Sequence, residues 1–207
     1  KQLSSDYAKL AEQMSSTVTD VAKGADEWLR QGKSAEDTST LLKSSMVLAK
    51  VGAIDSADAT TYLTAALNGY KISAEGAMHV VDALSQADVE SASSVSDLAV
   101  ALERSANTAS MAGVPLEKLI GYIAEVKEVT QKSAATVGES MKTIFSRMGS
   151  VKAGTFLDED LESEYTNISS FINDVEKVLS KVGIRVRDTN QDFRDAGDIL
   201  DDIAAKW

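Results

Sequence analysis

Residues 116–154 have the sequence LEKLIGYIAEVKEVTQKSAATVGESMKTIFSRMGSVKAG. This stretch consists of two segments with helical periodicity, joined by a short polar turn. In the second segment apolar residues recur at the spacing i, i+4, i+7, i+8 and i+11: Val137, Met141, Ile144, Phe145 and Met148. That spacing places them on one face of an α-helix, and such a face is buried against other helices. The stretch therefore predicts an all-α fold.

The preceding part of the chain shows the same periodicity. Residues 4–31 carry apolar side chains at helical spacing and predict one helix that ends at Gly32. Further helices are predicted to start near residues 34, 55, 73, 94, 114 and 133, mostly where a capping hydroxyl or carboxylate precedes an apolar pattern. We expect Gly52 and Gly69 to end two of them, and Pro115 to occupy a first helical position.

The regular spacing of these starts leaves two architectures open. The starts are 18 to 21 residues apart, so a pair of helices forms a unit of about 40 residues. SAEDTSTLLKSS at residue 34 and SAEGAMHVVDAL at residue 73 are alike. One architecture is a stack of helix pairs, and the other is a compact multi-helix bundle, each with about 8–9 helices. We prefer the bundle, because the match between the units is poor beyond the caps.

The composition changes after Gly149. The charge run DEDLESE, residues 158–164, predicts a solvated loop. A helix over about 172–181 follows, and the alternation of apolar and charged residues at 184–187 favours a short β-hairpin near 184–194. A last helix is expected over 196–207. We therefore divide the chain into a helical core domain, residues 1–154, and a C-terminal helix-hairpin-helix appendage, residues 155–207, packed on it.

The composition excludes several classes of protein. The 207 residues are 43% hydrophobic and 26% charged, as in globular proteins. A net charge of -11 disfavours direct binding to nucleic acid or to anionic lipid, so we expect neither nucleic-acid binding nor membrane contact. The absence of cysteine excludes disulfides and zinc–thiolate sites. The chain starts at Lys1 and stops at Trp207 within a predicted helix, so we expect a segment of a longer protein without a signal peptide.

The aromatic and imidazole side chains offer little chemistry. His79 is the sole histidine, and Asp82 is the one acid near it in sequence at ligand spacing. We interpret His79 as a surface or partly buried helix residue, not as a ligand or a catalytic base. Trp28 and Trp207 lie near predicted helix ends, where helix packing is the simplest role and a partner interface is the alternative.

Asp188, Asn190 and Asp192 resemble the opening of a calcium-binding loop. Phe193 and Ile199 occupy the positions where such a loop needs glycine and glutamate, so we reject a calcium site. The acids of 158–164 lack an apolar pocket that would separate their pKa values. We therefore expect no catalytic, cofactor-binding or metal-binding residues, no cofactor and no enzymatic activity.

Four stretches resemble the tape-measure proteins of long-tailed phages and prophages. They are ADEWLRQG at 25–32, VGAIDSADATTYLTAALNGYK at 51–71, the long block at 77–154 that opens AMHVVDALSQADVESASS, and VEKVLSKVGIRVRDTNQDFRDAGDILDDIAAKW at 175–207. The four blocks occur in the order of that family and together cover most of the chain after residue 25. Residues 161–170 look like an insertion or a variable loop.

The resemblance implies a structural role. Tape-measure proteins are long helical chains around which the tail tube polymerises, and they are expelled ahead of the DNA. The implied partners are tail-tube and tail-tip proteins, tail assembly chaperones and other copies of the chain. The implied location is the lumen of the virion tail, preceded by the host cytoplasm during assembly. The alternative is a stand-alone α-helical interaction module, such as an adaptor or chaperone.

Overall fold

The computed structural model describes residues 2–14, 16–153, 176–188 and 193–206. Its helices confirm the all-α fold class, and the described residues contain no β-strand. The first eight helices are α1 Gln2–Met14, α2 Val18–Arg30, α3 Ala35–Gly52, α4 Ser56–Tyr70, α5 Ala77–Glu90, α6 Val95–Met111, α7 Leu116–Thr130 and α8 Ala134–Ala153. A 3₁₀ turn, Ala74–Gly76, precedes α5. Residues 176–181 are helical, and a C-terminal helix spans Ala196–Ala204.

The prediction of one helix over residues 4–31 is wrong, because the structure has α1 and α2 there. Thr17 is the N-cap of α2, and its Oγ1 accepts a hydrogen bond from the backbone N–H of Asp20 at 3.1 Å. Serine and threonine side chains compete in this way with helical backbone hydrogen bonds. Thr17 therefore starts a second helix after α1 ends at Met14, although the apolar periodicity continues across this point.

The other helix starts are confirmed, except that the start predicted near residue 73 is the 3₁₀ turn Ala74–Gly76, and α5 itself begins at Ala77. Ser34 and Ser94 are N-caps whose hydroxyls accept from the backbone N–H groups of Asp37 and Asp97, at 3.0 and 3.1 Å. Asp55 is also an N-cap, but its side chain makes no capping hydrogen bond. Pro115 is the N-cap of α7, one position before the predicted one.

The helices are arranged in two layers. In the first, which we call the even layer, α2 contacts α4, α4 contacts α6 and α6 contacts α8. In the second, the odd layer, α1 contacts α3, α3 contacts α5 and α5 contacts α7. Each helix thus contacts the helix two positions further along the chain. Stacked helix pairs have this arrangement, which is the first of the two architectures considered. One apolar core runs through the stack from Leu10 in α1 to Phe145 in α8.

Helix α6 is the central member of the even layer, and its most extensive contacts are with α8 and α4. Both neighbours approach it through a glycine. A Cβ built on Gly69 of α4 would lie 2.9 Å from the backbone N of Asn107, and a Cβ on Gly138 of α8 would lie 2.7 Å from the carbonyl O of Ala101. The prediction that Gly69 ends a helix is therefore wrong. Gly69 lies within α4, which ends where Lys71 has a φ of 54°.

The apolar face predicted for α8 is buried at Val137, Met141 and Phe145. Met148 packs against this core and is partly buried. Ile144 is the exception, since 38% of it is exposed. The buried face is therefore narrower than predicted.

The predicted β-hairpin amounts to a single antiparallel bridge between Arg187 and Phe193 in the described residues. The alternation is nevertheless real, because Ile184 and Val186 are buried and Arg185 is exposed. Ile184, Val186 and Ile199 form a small apolar cluster that also contacts Met148 of α8. Residues 189–192, the charge run at 158–164 and the predicted domain boundary near 154 lie outside the described residues. The two-domain division stays a prediction.

The glycine contact predicts the effect of adding one methyl group. In Gly138→Ala the new Cβ meets backbone atoms of α6, so we expect a loss of about 1–3 kcal/mol in the free energy of unfolding. Gly121 of α7 is the matched control, because a Cβ there has no neighbour within 4 Å. Gly121→Ala should raise stability by up to about 1 kcal/mol, through helix propensity alone. Urea unfolding measures the free energy of unfolding of both variants. If both substitutions changed it by the same amount, the close approach of α8 to α6 would be contradicted.

Candidate functional site

The clearest polar constellation of the described residues joins α7 to the C-terminal helix. The Nζ of Lys118 lies 2.6 Å from Asp201 Oδ2 and 3.2 Å from Asp198 Oδ1. The Tyr122 hydroxyl is 2.6 Å from Asp201 Oδ1 and 3.0 Å from the carbonyl O of Gly197. We call Lys118, Tyr122, Asp198 and Asp201 the Lys118 cluster. Its hydrogen bonds and ion pairs attach the C-terminal helix to the helical stack.

The protonation states in this cluster suit attachment, not proton transfer. The hydrogen bond with Asp201 raises the pKa of Lys118, and the same contact holds the pKa of Asp201 below its usual range. Burial, followed by the hydrogen bond with Asp201, raises the pKa of Tyr122. At neutral pH Lys118 is therefore cationic, Asp201 anionic and Tyr122 neutral. None of the three is tuned toward a pKa near 7, where a general acid or base works best.

Close backbone packing supports the same joint. Gly113, in the turn before α7, has a φ of 87°, and a Cβ built on it would lie 2.7 Å from Asp195 Oδ2. Asp195 is the N-cap of the C-terminal helix, and its Oδ1 accepts from the backbone N–H of Gly197 at 2.8 Å. The C-terminal helix thus starts beside the start of α7 and also contacts α8.

His79 lies on the surface of α5, and 64% of its side chain is exposed. Its Nε2 is 2.7 Å from Glu117 Oε1 on α7. The backbone N–H of Glu117 and then the contact with His79 hold the pKa of Glu117 below its usual value. This pair links two helices of the odd layer. A carboxylate of lowered pKa beside an exposed imidazole offers neither a nucleophile nor a buried acid.

The remaining candidate residues are dispersed. Trp28 is fully buried in the core, as its packing role requires. Asp188 is exposed, whereas Asn190, Asp192 and Trp207 lie outside the described residues, as do the acids of 158–164. In the described ranges no three His, Asp or Glu side chains are grouped so as to hold a metal ion. No helix among these residues is both long and apolar enough to cross a membrane.

Comparison with known families identifies the chain. The family model for phage-related minor tail proteins matches residues 8–207. The chain belongs to the phage-related minor tail protein family. It is therefore a structural protein of the phage tail, located in the virion tail, where it contacts other tail components. No solved structure matches it.

Sequence reasoning missed the Lys118 cluster in this minor tail protein. Its contacts join residues 75 to 83 positions apart, and no local pattern specifies a pairing over that distance. The acidic residues Asp198, Asp201 and Asp202 share one face of the C-terminal helix at i, i+3 and i+4 spacing. That acidic face was the available signal that this helix meets a cation.

The Lys118 cluster predicts which part of the protein Lys118 stabilises. Lys118→Met keeps an unbranched apolar side chain and removes both ion pairs with the C-terminal helix. Amide hydrogen exchange over residues 196–204 should become faster, whereas the exchange rates of the amides in α2 and α4 should not change. Lys142→Met is the control, because Lys142 pairs with Glu139 within α8. Unchanged exchange over residues 196–204 in Lys118→Met would contradict the attachment.

Acid should release the C-terminal helix. The pKa of Asp201 is lower in the folded chain than in the unfolded one, so the unfolded state takes up the proton first. The stabilisation by this carboxylate is complete above about pH 5 and is lost as the pH falls below about 4, through the folded pKa. Hydrogen exchange over residues 196–204 should therefore accelerate in acid more steeply in the natural chain than in Asp201→Asn. The same acid dependence in both chains would contradict this role of Asp201.

Proposed function

We propose that this minor tail protein chain is a folded helical segment of a tail tape-measure protein. The observation that carries the proposal is the family match over residues 8–207, since it assigns nearly the whole chain to a phage tail protein. The resemblance of four ordered blocks to tape-measure proteins supports the finer assignment. The stack of short helices is consistent with a segment that makes contacts within the tail.

The geometry suggests how such a segment contributes to tail length. A helix rises about 1.5 Å per residue, so even 207 residues in a single helix would span only ~310 Å. The longest described helix, α8, has 20 residues and measures about 30 Å. Because the helices lie side by side, the stack is much shorter than its contour length. We infer that the parent chain sets tail length and that this segment supplies a compact contact surface within it.

The proposed role is non-catalytic. The partners would be tail-tube and tail-tip proteins, tail assembly chaperones and further copies of the chain, with the lumen of the tail as the location. The chain would be in the host cytoplasm during assembly and would leave the tail ahead of the DNA. A net charge of -11 suits this path, because an acidic surface does not adhere to DNA.

The layered stack favours one alternative, a stand-alone α-helical interaction module such as an adaptor or chaperone. Stacked helix pairs present extended surfaces that bind partner segments. The two proposals differ in where the polypeptide is found. A tape-measure segment is part of the purified virion, whereas an assembly adaptor or chaperone is absent from it.

The test is an in-frame deletion of codons 8–207 from the parent gene, with tails examined by electron microscopy. A tape-measure segment predicts that tails are missing or have a changed length, because tube growth loses contacts with the ruler. A substitution at an exposed position, Asp58→Asn, is the control for effects of altering the gene and preparing the phage. Tails of unchanged length and full infectivity would overturn the proposal.

A separate assay tests the non-catalytic role. The purified chain should not clear a suspension of bacterial cell walls, because the described residues offer no pair of carboxylates in an apolar cleft. Clearing that disappears on substitution of one glutamate of this chain by glutamine would show a peptidoglycan-cleaving activity. That result would replace the purely structural role with an enzymatic one.

A further inference from the structure

Three valines at the ends of odd-layer helices are exposed to solvent. They are Val51 in the last turn of α3, Val89 in the last turn of α5 and Val129 in the last turn of α7. Their exposed fractions are 47%, 85% and 73%. Three apolar side chains at equivalent positions of successive helices form a repeated feature of the surface.

The contacts of the α5–α6 loop show that these helix ends lie along one edge of the stack. A Cβ built on Gly52 at the end of α3 would lie 3.4 Å from Val95 Cγ1 at the start of α6. On the other side of the loop, the hydroxyl of Ser93 donates to the carbonyl O of Ala124 in α7 at 3.3 Å. The loop thus bridges the end of α3 and the end of α7. We call Val51, Val89 and Val129 the valine edge.

Acidic side chains surround the valine edge. Asp88 and Glu90 lie in the last turn of α5, and Glu125 and Glu128 lie near the end of α7. All four are exposed, and none forms an ion pair with a described residue, although Glu90 accepts a hydrogen bond from Gln86 and Glu128 one from Ala92. Three lysines lie near these helix ends in sequence: Lys50, Lys127 and Lys132. The edge therefore carries a net negative charge.

This charge is unfavourable in the isolated chain. The C-terminal end of a helix carries a partial negative charge, so a carboxylate there raises the free energy and a cation lowers it. Helix α5 has no basic residue in its last turn. The pair between Lys127 and Asp97, at 3.4 Å, shows how the same region is neutralised where a lysine is available. Asp88 and Glu90 of α5 lack that compensation in the described part of the chain.

We propose that the valine edge binds a segment of another tail protein that carries both lysine or arginine and apolar side chains. Exposed valines favour an apolar contact, and uncompensated carboxylates at helix ends favour cations. A second copy of this acidic chain is a less suitable partner, because its net charge is also -11. The inference rests on the proposed function and deepens it, since it names the contact edge of the same segment and the chemistry of its partner.

The experiment places the photo-crosslinking residue p-benzoylphenylalanine at position 89 of the full-length parent chain during phage assembly. The control position is Met111, which is 76% exposed at the end of α6, at the opposite edge of the stack. Mass spectrometry identifies the crosslinked peptides in purified tails. We expect position 89 to crosslink to a peptide of another tail protein that contains lysine or arginine beside apolar residues, in clear excess over position 111.

A charge variant tests the second half of the proposal. The substitutions are Asp88→Asn, Glu90→Gln, Glu125→Gln and Glu128→Gln. Together they should lower the crosslink yield at position 89 about tenfold, the effect expected from several surface charge pairs acting together. The matched control neutralises four acids elsewhere: Glu12, Glu27, Asp58 and Glu103. It should leave the yield unchanged, and circular dichroism checks that both variants keep their helices.

The outcomes separate this inference from the proposed function. Crosslinks to an acidic or neutral peptide, to a second copy of this chain, or no excess over position 111 would overturn the valine edge while the chain remains part of the tail. An unchanged yield in the charge variant would overturn the requirement for a basic partner. Absence of the parent chain from purified tails would overturn both the inference and the proposed function.

Discussion

The close approach of α4 and α8 to α6 is the contact on which the rest of the stack depends. Gly69 and Gly138 leave no room for a Cβ against the backbone of α6, so the helix backbones meet almost directly. Helix α6 presents small side chains over much of its buried surface, including Ala99, Ala101 and Ala106. Backbones that approach this closely gain dispersion contacts along the whole interface, and they have little freedom to slide. The even layer thereby fixes the positions of the odd-layer helices that pack across it.

The two layers contribute different contacts to the structure. The even layer holds the stack together through apolar and backbone contacts, whereas polar contacts are important at the open side of the odd layer. His79 meets Glu117 there, and the Lys118 cluster attaches the C-terminal helix to α7. A layered stack of this kind has one face for stability and exposed edges for partners. That division suits a structural protein of the phage tail, in which a compact segment must be held by neighbouring chains.

The sequence predicted the features that are decided locally. Helix starts were correct because an N-cap such as Ser34 or Ser94 satisfies backbone groups within three residues. The two roles of glycine are not distinguishable locally, so the pattern around Gly69 predicts a helix end where the structure has a packing contact. The start of α2 is not predicted, because the apolar periodicity of residues 4–31 continues across its N-cap, Thr17. The choice between stack and bundle also depends on which helices meet, and spacing alone does not contain that information.

Long-range contacts also limit how much of the candidate site can be predicted from the sequence. Lys118 and Asp201 are 83 positions apart, and local residue patterns do not specify which residues pair over such a distance.

The most direct measurement is native-state hydrogen exchange of α6 amides across low concentrations of denaturant. If α6 is the central helix, the amides of Leu102, Ser105 and Ala106 should exchange only through global unfolding, with the highest opening free energy in the chain. Exchange of these amides through local opening, at a free energy below that of α1 or the C-terminal helix, would contradict the account.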